Sequence, residues 1–455
     1  MALSINTNIA SLQAQSNLNN VDKMLQQNQE RLSSGLRINS AADDAAGLAI
    51  SDRMTAQVRG MNQAVRNAND GISLAQTAEG GLKEITNIVQ RMRELSVQAA
   101  NDTNTSSDRA SIQTEVDQLV EEMDRISNST QFNGQNLLNG SFSGQFQVGA
   151  NSGQQISFSI SGAGAGDIGQ IATTTNTVDG STSFDGSNDT INGVTLENSA
   201  NVVSGANGKT GGSALALAKA INQTSGLDVT AEAQATTHTV ANSGTSNGDD
   251  LNINGVDIVV AGDPGYTGSE LVDQINAHSS TTGVVAEESG SDVVLTASDG
   301  RNIDITAGTN DTFSTGVHSG DLKLSSSENM TLSADVQTAT GAAASVTLDS
   351  STVNSLDVSS VSGATTAIDR LDSALKSLDN IKSNLGAVQN RFDSVVANLD
   401  NTSQNLTEAR SRIQDADIAK EAAEMTQNNV RRQAASSVLA QANQSPQLAL
   451  QLLGG

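Results

Sequence analysis

His238, His278 and His318 are the side chains of this chain best suited to acid–base or metal chemistry. None has a second histidine or a carboxylate four residues on, the spacing that sets two zinc ligands on one helix face. Glycine is plentiful, yet no Gly-x-x-x-x-Gly-Lys loop is present to cradle a phosphate. The acidic loops Gly248-Asp249-Asp250 and Ser298-Asp299-Gly300 lack the ligand spacing of a calcium loop and read as solvated turns. With no cysteine, thiol chemistry and disulfides are excluded and the compartment cannot be read from thiols. The expectation is a chain with no catalytic, cofactor or metal site, hence not an enzyme.

What the chain does possess is a repeating apolar spacing. Leu371, Leu378, Leu385, Phe392, Leu399, Leu406 and Ile413 recur every seven residues. Ala374, Ile381, Val388, Val395, Thr402, Ala409 and Ala416 recur three places later. This 3-4 spacing is the seam of a helix packed against another helix. From Leu371 to Ala416 such a helix spans roughly 70 Å, too long to cover its own seam. Comparable periodicity occurs only towards the opposite end of the chain. Leu18, Val21, Leu25, Asn28 and Leu32 keep the spacing, with Ile5, Ile9 and Leu12 before them. Asn28 in a seam is a candidate register-setting residue. The termini therefore pair, and the middle is an insert.

Composition marks the same boundaries. Residues 1–140 carry 11 Lys/Arg against 16 Asp/Glu, and residues 363–455 carry 9 against 10. Residues 141–362 carry 4 against 24, with 28 of the 40 glycines. That acidic middle repels phosphates, which argues against nucleic-acid binding. Aromatic residues make up 2% of the chain, so packing must come from Leu, Ile, Val and Ala. No run of 18 apolar residues exists to insert in a membrane, and the first 30 residues lack a secretory signal pattern.

In chain order, Gly35 interrupts the first helix and Asp43-Asp44 suit the start of a second. That helix runs to about Asn101 through Met54, Val58, Met61, Val65, Ala68, Ile72 and Ala75. Gly80-Gly81 perturb it before Leu82, Ile85, Val89, Met92 and Ala99 resume, with Leu95 beside the Ser96 seam slot. A third helix is capped by Ser106 or Ser107 and carries Ile112, Val116, Leu119, Met123 and Ile126. Period two then takes over around Gln145–Val148 and Ile156–Ile160, short strands. The insert repeats itself. Ile191-Asn192-Gly193-Val194 and Ile253-Asn254-Gly255-Val256 are each followed by a helical stretch ending in Ile-Asn, at Asn222 and Asn276. A strand follows each, Val229–Glu232 and Val284–Glu287, with further strands such as Val293–Thr296. After Ala416 the chain turns Ala- and Gln-rich. Pro446 is expected to kink or restart the last helix.

Several blocks together resemble bacterial flagellin. They are Ser4-Ile5-Asn6-Thr7-Asn8, Leu32–Ile50, Gln90-Arg91-Met92-Arg93-Glu94-Leu95, Thr130–Leu138, the long C-terminal heptad helix, and Gln444-Ser445-Pro446-Gln447-Leu448. The likeness covers roughly residues 1–175 and 362–455. The insert resembles the Ile-Asn repeats of flagellins and hook-associated proteins. Some flagellins carry a His-Glu-x-x-His protease insert, and this chain does not.

The resemblance implies mainly α terminal regions, a long antiparallel coiled coil or bundle with a β-hairpin, plus an α+β, β-rich central insert. It implies three domains: residues 1–40 with 420–455 as a terminal core, 41–161 with 362–419 as a helical rod with the hairpin, and 162–361 as a surface-exposed insert. The implied function is a structural subunit that polymerises with itself into the extracellular flagellar filament. Export through the flagellar type III apparatus without signal cleavage is implied too. So are an export chaperone, cap and hook-junction proteins, and a host Toll-like receptor engaging Gln90, Arg91, Glu94, Leu95 and Glu115. A hook–filament junction protein shares the terminal plan but matches the central blocks less well. A surface adhesin needs an aromatic-lined pocket, and the insert offers Tyr266 and a few Phe.

Overall fold

The computed structural model describes residues 8–203, 207–240, 251–259, 268–290, 292–306 and 315–453, with side chains up to Gln444. Ile5, Tyr266 and the Gly248–Asp250 loop lie outside the described residues. The helices are α1 (Ile9–Ser34), α2 (Ala45–Ala99), α3 (Ser106–Ser129), α4 (Ala214–Gln223), α5 (Gly268–Ala277), α6 (Ser279–Thr282), α7 (Ala334–Thr340), α8 (Val361–Gln414) and α9 (Ile418–Leu453). Two compact units result. One gathers the chain up to Gln76, Ser143–Ser159 and everything from Gly386; the other holds Thr77–Phe142 and Ile160–Leu385.

In the first unit α1 and α9 run antiparallel, because residue 8 meets residue 442 and residue 28 meets residues 421 and 428. Asn8 caps α1, its Oδ1 accepting from Ser11 N at 3.1 Å. Gly35, at φ 72°, ends it with a left-handed turn. Of the two aspartates expected at the start of α2, Asp44 caps it, its Oδ1 accepting from Gly47 N at 2.8 Å, whereas Asp43 accepts from the amides of Asn39 and Ser40 in the preceding turn.

The heptad seam of α8 continues in this unit through Phe392, fully buried, and Leu399. Phe392 meets a hairpin formed by Ser143–Gln147 and Gln155–Ser159. Its ring lies 5.5 Å from Phe146 and 6.2 Å from Phe158, both edge-on. The opposite wall is Gly71, where a Cβ would stand 2.8 Å from the Phe392 ring. Burial fades further along: Leu406 and Ile413 are half-buried, Thr402 is exposed, and Ala416 lies beyond the helix end. In α1, Leu25 is buried, while Leu18, Val21 and Leu32 are half-buried. Ile9 and Leu12, read as seam residues, are instead exposed at 68% and 59%.

Pro446 does not break the last helix, which runs unbroken from Ile418 to Leu453. Proline has no N–H, so the Ala442 carbonyl four residues back loses its helical partner. That carbonyl accepts instead from Asn8 Nδ2 at 2.8 Å.

In the second unit the seam continues in α8 as Leu371, Leu378 and Leu385, all buried, beside the buried Leu82, Ile85, Val89 and Met92 of α2. Arg93 Nε pairs with Asp372 at 2.6 Å, and Lys382 Nζ donates to Thr86 at 2.7 Å. Gly80-Gly81 do not interrupt α2. A Cβ on Gly81 would stand 2.7 Å from Leu138 and Thr130, so the bare backbone makes room for the chain that follows α3. The cap of α3 is Thr105, one residue earlier than expected, in a reciprocal capping box with Asp108.

The insert holds two copies of one design. In the first, Ala172–Thr177, Asp321–Ser326 and Val229–Ala233 form a three-stranded antiparallel sheet with Asp321–Ser326 central. In the second, Thr236–Val240, Asp292–Ala297 and Val285–Ser289 repeat that order. Each copy has an Asn-Gly hairpin, with Asn192 and Asn254 at φ 52° and 54°. Asn192 Oδ1 accepts from Thr331 N, and Asn254 Oδ1 from Asp304 N, each at 2.8 Å. Each also has the helix ending in Ile-Asn. Asn222 donates to Ala231 O at 2.7 Å and accepts from Ala231 N at 2.9 Å. Asn276 does the same to Ala286, at 2.9 and 2.8 Å. The isoleucine before each asparagine is buried in its copy's own apolar core. The copies are nested rather than consecutive. The second enters after Val229–Ala233 and leaves before Asp321–Ser326, whereas its own counterpart strands, Val285–Ser289 and Asp292–Ala297, follow each other closely in sequence.

Candidate assembly interface

Two physical features set the terminal hairpin apart. Its described buried side chains are Ala14, Leu25 and Asn28 on α1 and Glu421 and Asn428 on α9, so three of the five are polar. Its large apolar side chains are largely outside: Met24, Ile418, Val430 and Val438 are 46%, 49%, 63% and 55% exposed, besides Ile9 and Leu12. Several apolar side chains turned to solvent along one element mark an interaction surface rather than a finished fold.

Asn28, Glu421 and Asn428 bond to one another, while the buried Arg31 Nε beside them has no hydrogen-bond partner. Asn28 Nδ2 donates to Glu421 Oε1 at 2.6 Å, and Asn428 Nδ2 donates to Asn28 Oδ1 at 3.1 Å. Arg31 stands 3.8 Å from Glu421 and 3.9 Å from Asp43. Gln27 donates to Asp43 at 2.8 Å. That bond, followed by one from the Ser40 amide, holds the Asp43 carboxyl below its usual range. A buried charge needs such partners to be tolerated. Asn28, expected as a candidate register residue, is buried in this group. Its partners Glu421 and Asn428 were not legible in the sequence, although they stand seven residues apart, because both are polar.

The residues read as a host-recognition face fall in the second unit. Gln90, Arg91, Glu94 and Glu115 are exposed. Arg91 donates to Glu115 at 2.8 Å and to Glu94 at 3.2 Å, joining α2 to α3. Leu95 is not on this surface: at 2% exposure it belongs to the helical core. Its one-residue offset from the seam slot brings it inside alongside Ser96, which is equally buried.

His238 and His318 stack at 3.4 Å between ring centroids and 16° between planes. Nearly parallel rings direct their in-plane lone pairs side by side, so they do not converge on one ion. Burial and the His318 imidazole hold His238 below the usual histidine range. Among the described residues no cluster of three or more His, Cys, Asp or Glu is placed to hold a metal. No described helix is long and apolar enough to cross a membrane.

Long terminal helices with outward apolar side chains and a β-rich insert are the plan of a structural protein. The comparisons give the family. The bacterial flagellin N-terminal helical region matches residues 5–143, and the bacterial flagellin C-terminal helical region matches residues 368–453. Flagellin B of Vibrio anguillarum is 38% identical over 455 residues, covering all of both chains. Flagellin B of Vibrio cholerae is 38% identical over 456 residues, again with full coverage of both. The solved structure of FliC from Burkholderia pseudomallei aligns with 70% of this chain and 99% of that one, at 23% identity and a TM-score of 0.32. The chain belongs to the bacterial flagellin family. It is a structural subunit of the extracellular flagellar filament and not an enzyme.

Proposed function

We propose that the terminal hairpin is the element that polymerises and that its helices become ordered as it does so. The observation that carries this is its burial: three of the five described buried side chains are polar, while Ile9, Leu12, Met24, Ile418, Val430 and Val438 are exposed. Ordering a residue costs about 1–2 kcal/mol of backbone entropy, and a lone hairpin burying Ala14 and Leu25 gains little against that. Neighbouring copies supply the missing contacts, coupling folding to assembly. Residues 1–40 and 420–455 then form the inner core of the filament, residues 41–161 and 362–419 surround it, and the acidic insert 162–361 is displayed to solvent. Limited proteolysis of verified monomer is expected to remove both ends quickly and stop near Ala41, with helical circular dichroism rising on polymerisation. Protease-resistant ends in the monomer overturn this reading.

Unfolded termini also suit export through the flagellar type III apparatus, with an export chaperone on the C-terminal stripe and assembly between junction and cap proteins. Recognition by the host Toll-like receptor is assigned to Gln90, Arg91, Glu94 and Glu115. The exposed ion pairs contribute little to stability, so Arg91→Glu is expected to weaken receptor binding by monomer at least tenfold without moving the melting temperature. Undiminished binding removes the assignment.

A further inference from the structure

We propose that Asn8 is the register latch of the terminal hairpin, a positioning residue whose amide completes α9 where Pro446 leaves it open. It rests on the reading that α1 and α9 order together during assembly.

One side chain makes two bonds of different kinds. Its Oδ1 accepts from Ser11 N at 3.1 Å, which starts α1. Its Nδ2 donates to Ala442 O at 2.8 Å. In an uninterrupted helix that carbonyl is taken by the N–H of residue 446. Residue 446 is proline, so the bond must come from elsewhere. The adjacent pair repeats the alignment: Ser11 Oγ donates to Asn443 Oδ1 at 2.6 Å. An unpaired, partly buried carbonyl is disfavoured, so any shift of α1 along α9 leaves Ala442 without a partner.

The latch also solves a specificity problem. The hairpin's described interior has few large side chains to interlock, and small, smooth seams slip easily. The buried Asn28–Glu421–Asn428 group lies some twenty residues nearer the hairpin's closed end, as the numbering of Asn8 and Asn28 shows. Two polar contacts so far apart fix position as a single one cannot. Proline, costly in a helix interior, here makes the C-terminal helix dependent on the N-terminus. A half-made pairing is thereby penalised at its open end.

The test uses full-length protein in seeded elongation, following light scattering after monomer is added to filament fragments. Asn8→Asp keeps the acceptor that caps α1 and removes the donor. It is expected to slow elongation roughly tenfold, the effect of one lost hydrogen bond with its acceptor stranded. Pro446→Ala restores an N–H, so the Asn8→Asp, Pro446→Ala double variant is expected to regain most of the rate. Pro446→Ala alone is expected to elongate at about the parental rate. Asn28→Ala gives a second slow variant that Pro446→Ala does not rescue. Monomer melting curves identical among all variants exclude misfolding. An Asn8→Asp protein at full rate, or a double variant as slow as Asn8→Asp, overturns the latch. Failure of the coupled-ordering reading is seen separately, as parental monomer whose circular dichroism does not change on polymerisation.

Discussion

A chain trimmed to Leu36–Ala416 is expected to stay folded and to lose polymerisation. The trim removes α1 and α9 while keeping the contacts at the hairpin base, Leu36 with Asp415 and Arg37 N with Gln414 O at 2.7 Å. Everything around Phe392 remains, so the melting transition of the rest should move little. What disappears are the exposed apolar groups Ile9, Leu12, Met24, Ile418, Val430 and Val438. Burying one such side chain fully is worth about 1.5–3 kcal/mol. Three of them lost from the contacts each subunit makes raise the critical concentration by about a thousandfold or more. Sedimentation of seeded samples measures this. Pelleting of the trimmed chain at the parental critical concentration places the assembly surface elsewhere.

Phe392→Ala is expected to be the most damaging single core change. Phe392 is fully buried among Ala68, Ile156, Phe146 and Phe158, and truncating such a side chain costs about 3–5 kcal/mol. Gly71 makes the result diagnostic. Gly71→Ala in the parental chain drives a methyl to within 2.8 Å of the ring, so it too should destabilise, by about 1–3 kcal/mol. In the Phe392→Ala background the same methyl enters vacated space and should be neutral or stabilising. A double-mutant cycle in urea reads the sign change directly. Purely additive effects mean that Gly71 and Phe392 are not the opposing pair described.

The Leu371–Ile413 seam was legible because helical periodicity is a local property: each residue's face follows from its distance along the chain. The same holds for the duplicated Asn-Gly turn and Ile-Asn ending, whose spacing survives in both copies and whose asparagines then bond in the same way to Ala231 and Ala286. The Gln90–Leu95 block was legible as a family mark, but its burial was not. Leu95 is buried while Arg91 reaches Glu115 of α3 at the surface, and no spacing within six residues says which face of α2 is covered.

The amino-acid sequence by itself determined the helical termini, the acidic insert with its repeat, the absence of a phosphate loop or zinc-helix spacing, and the family. The family rests on blocks such as Gln90–Leu95 and Thr130–Leu138 that resemble flagellin, and the others on composition, periodicity and local turn chemistry. Tertiary structure decided the rest, because it depends on pairs far apart in the chain. Gly71 matters through the ring of Phe392, and Asn28 through Glu421 and Asn428. One copy of the insert sits within the other because Ala233 pairs with Leu322, across the whole of the second copy. The Ala442 carbonyl that Pro446 cannot pair meets the amide of Asn8, from the other end of the sequence.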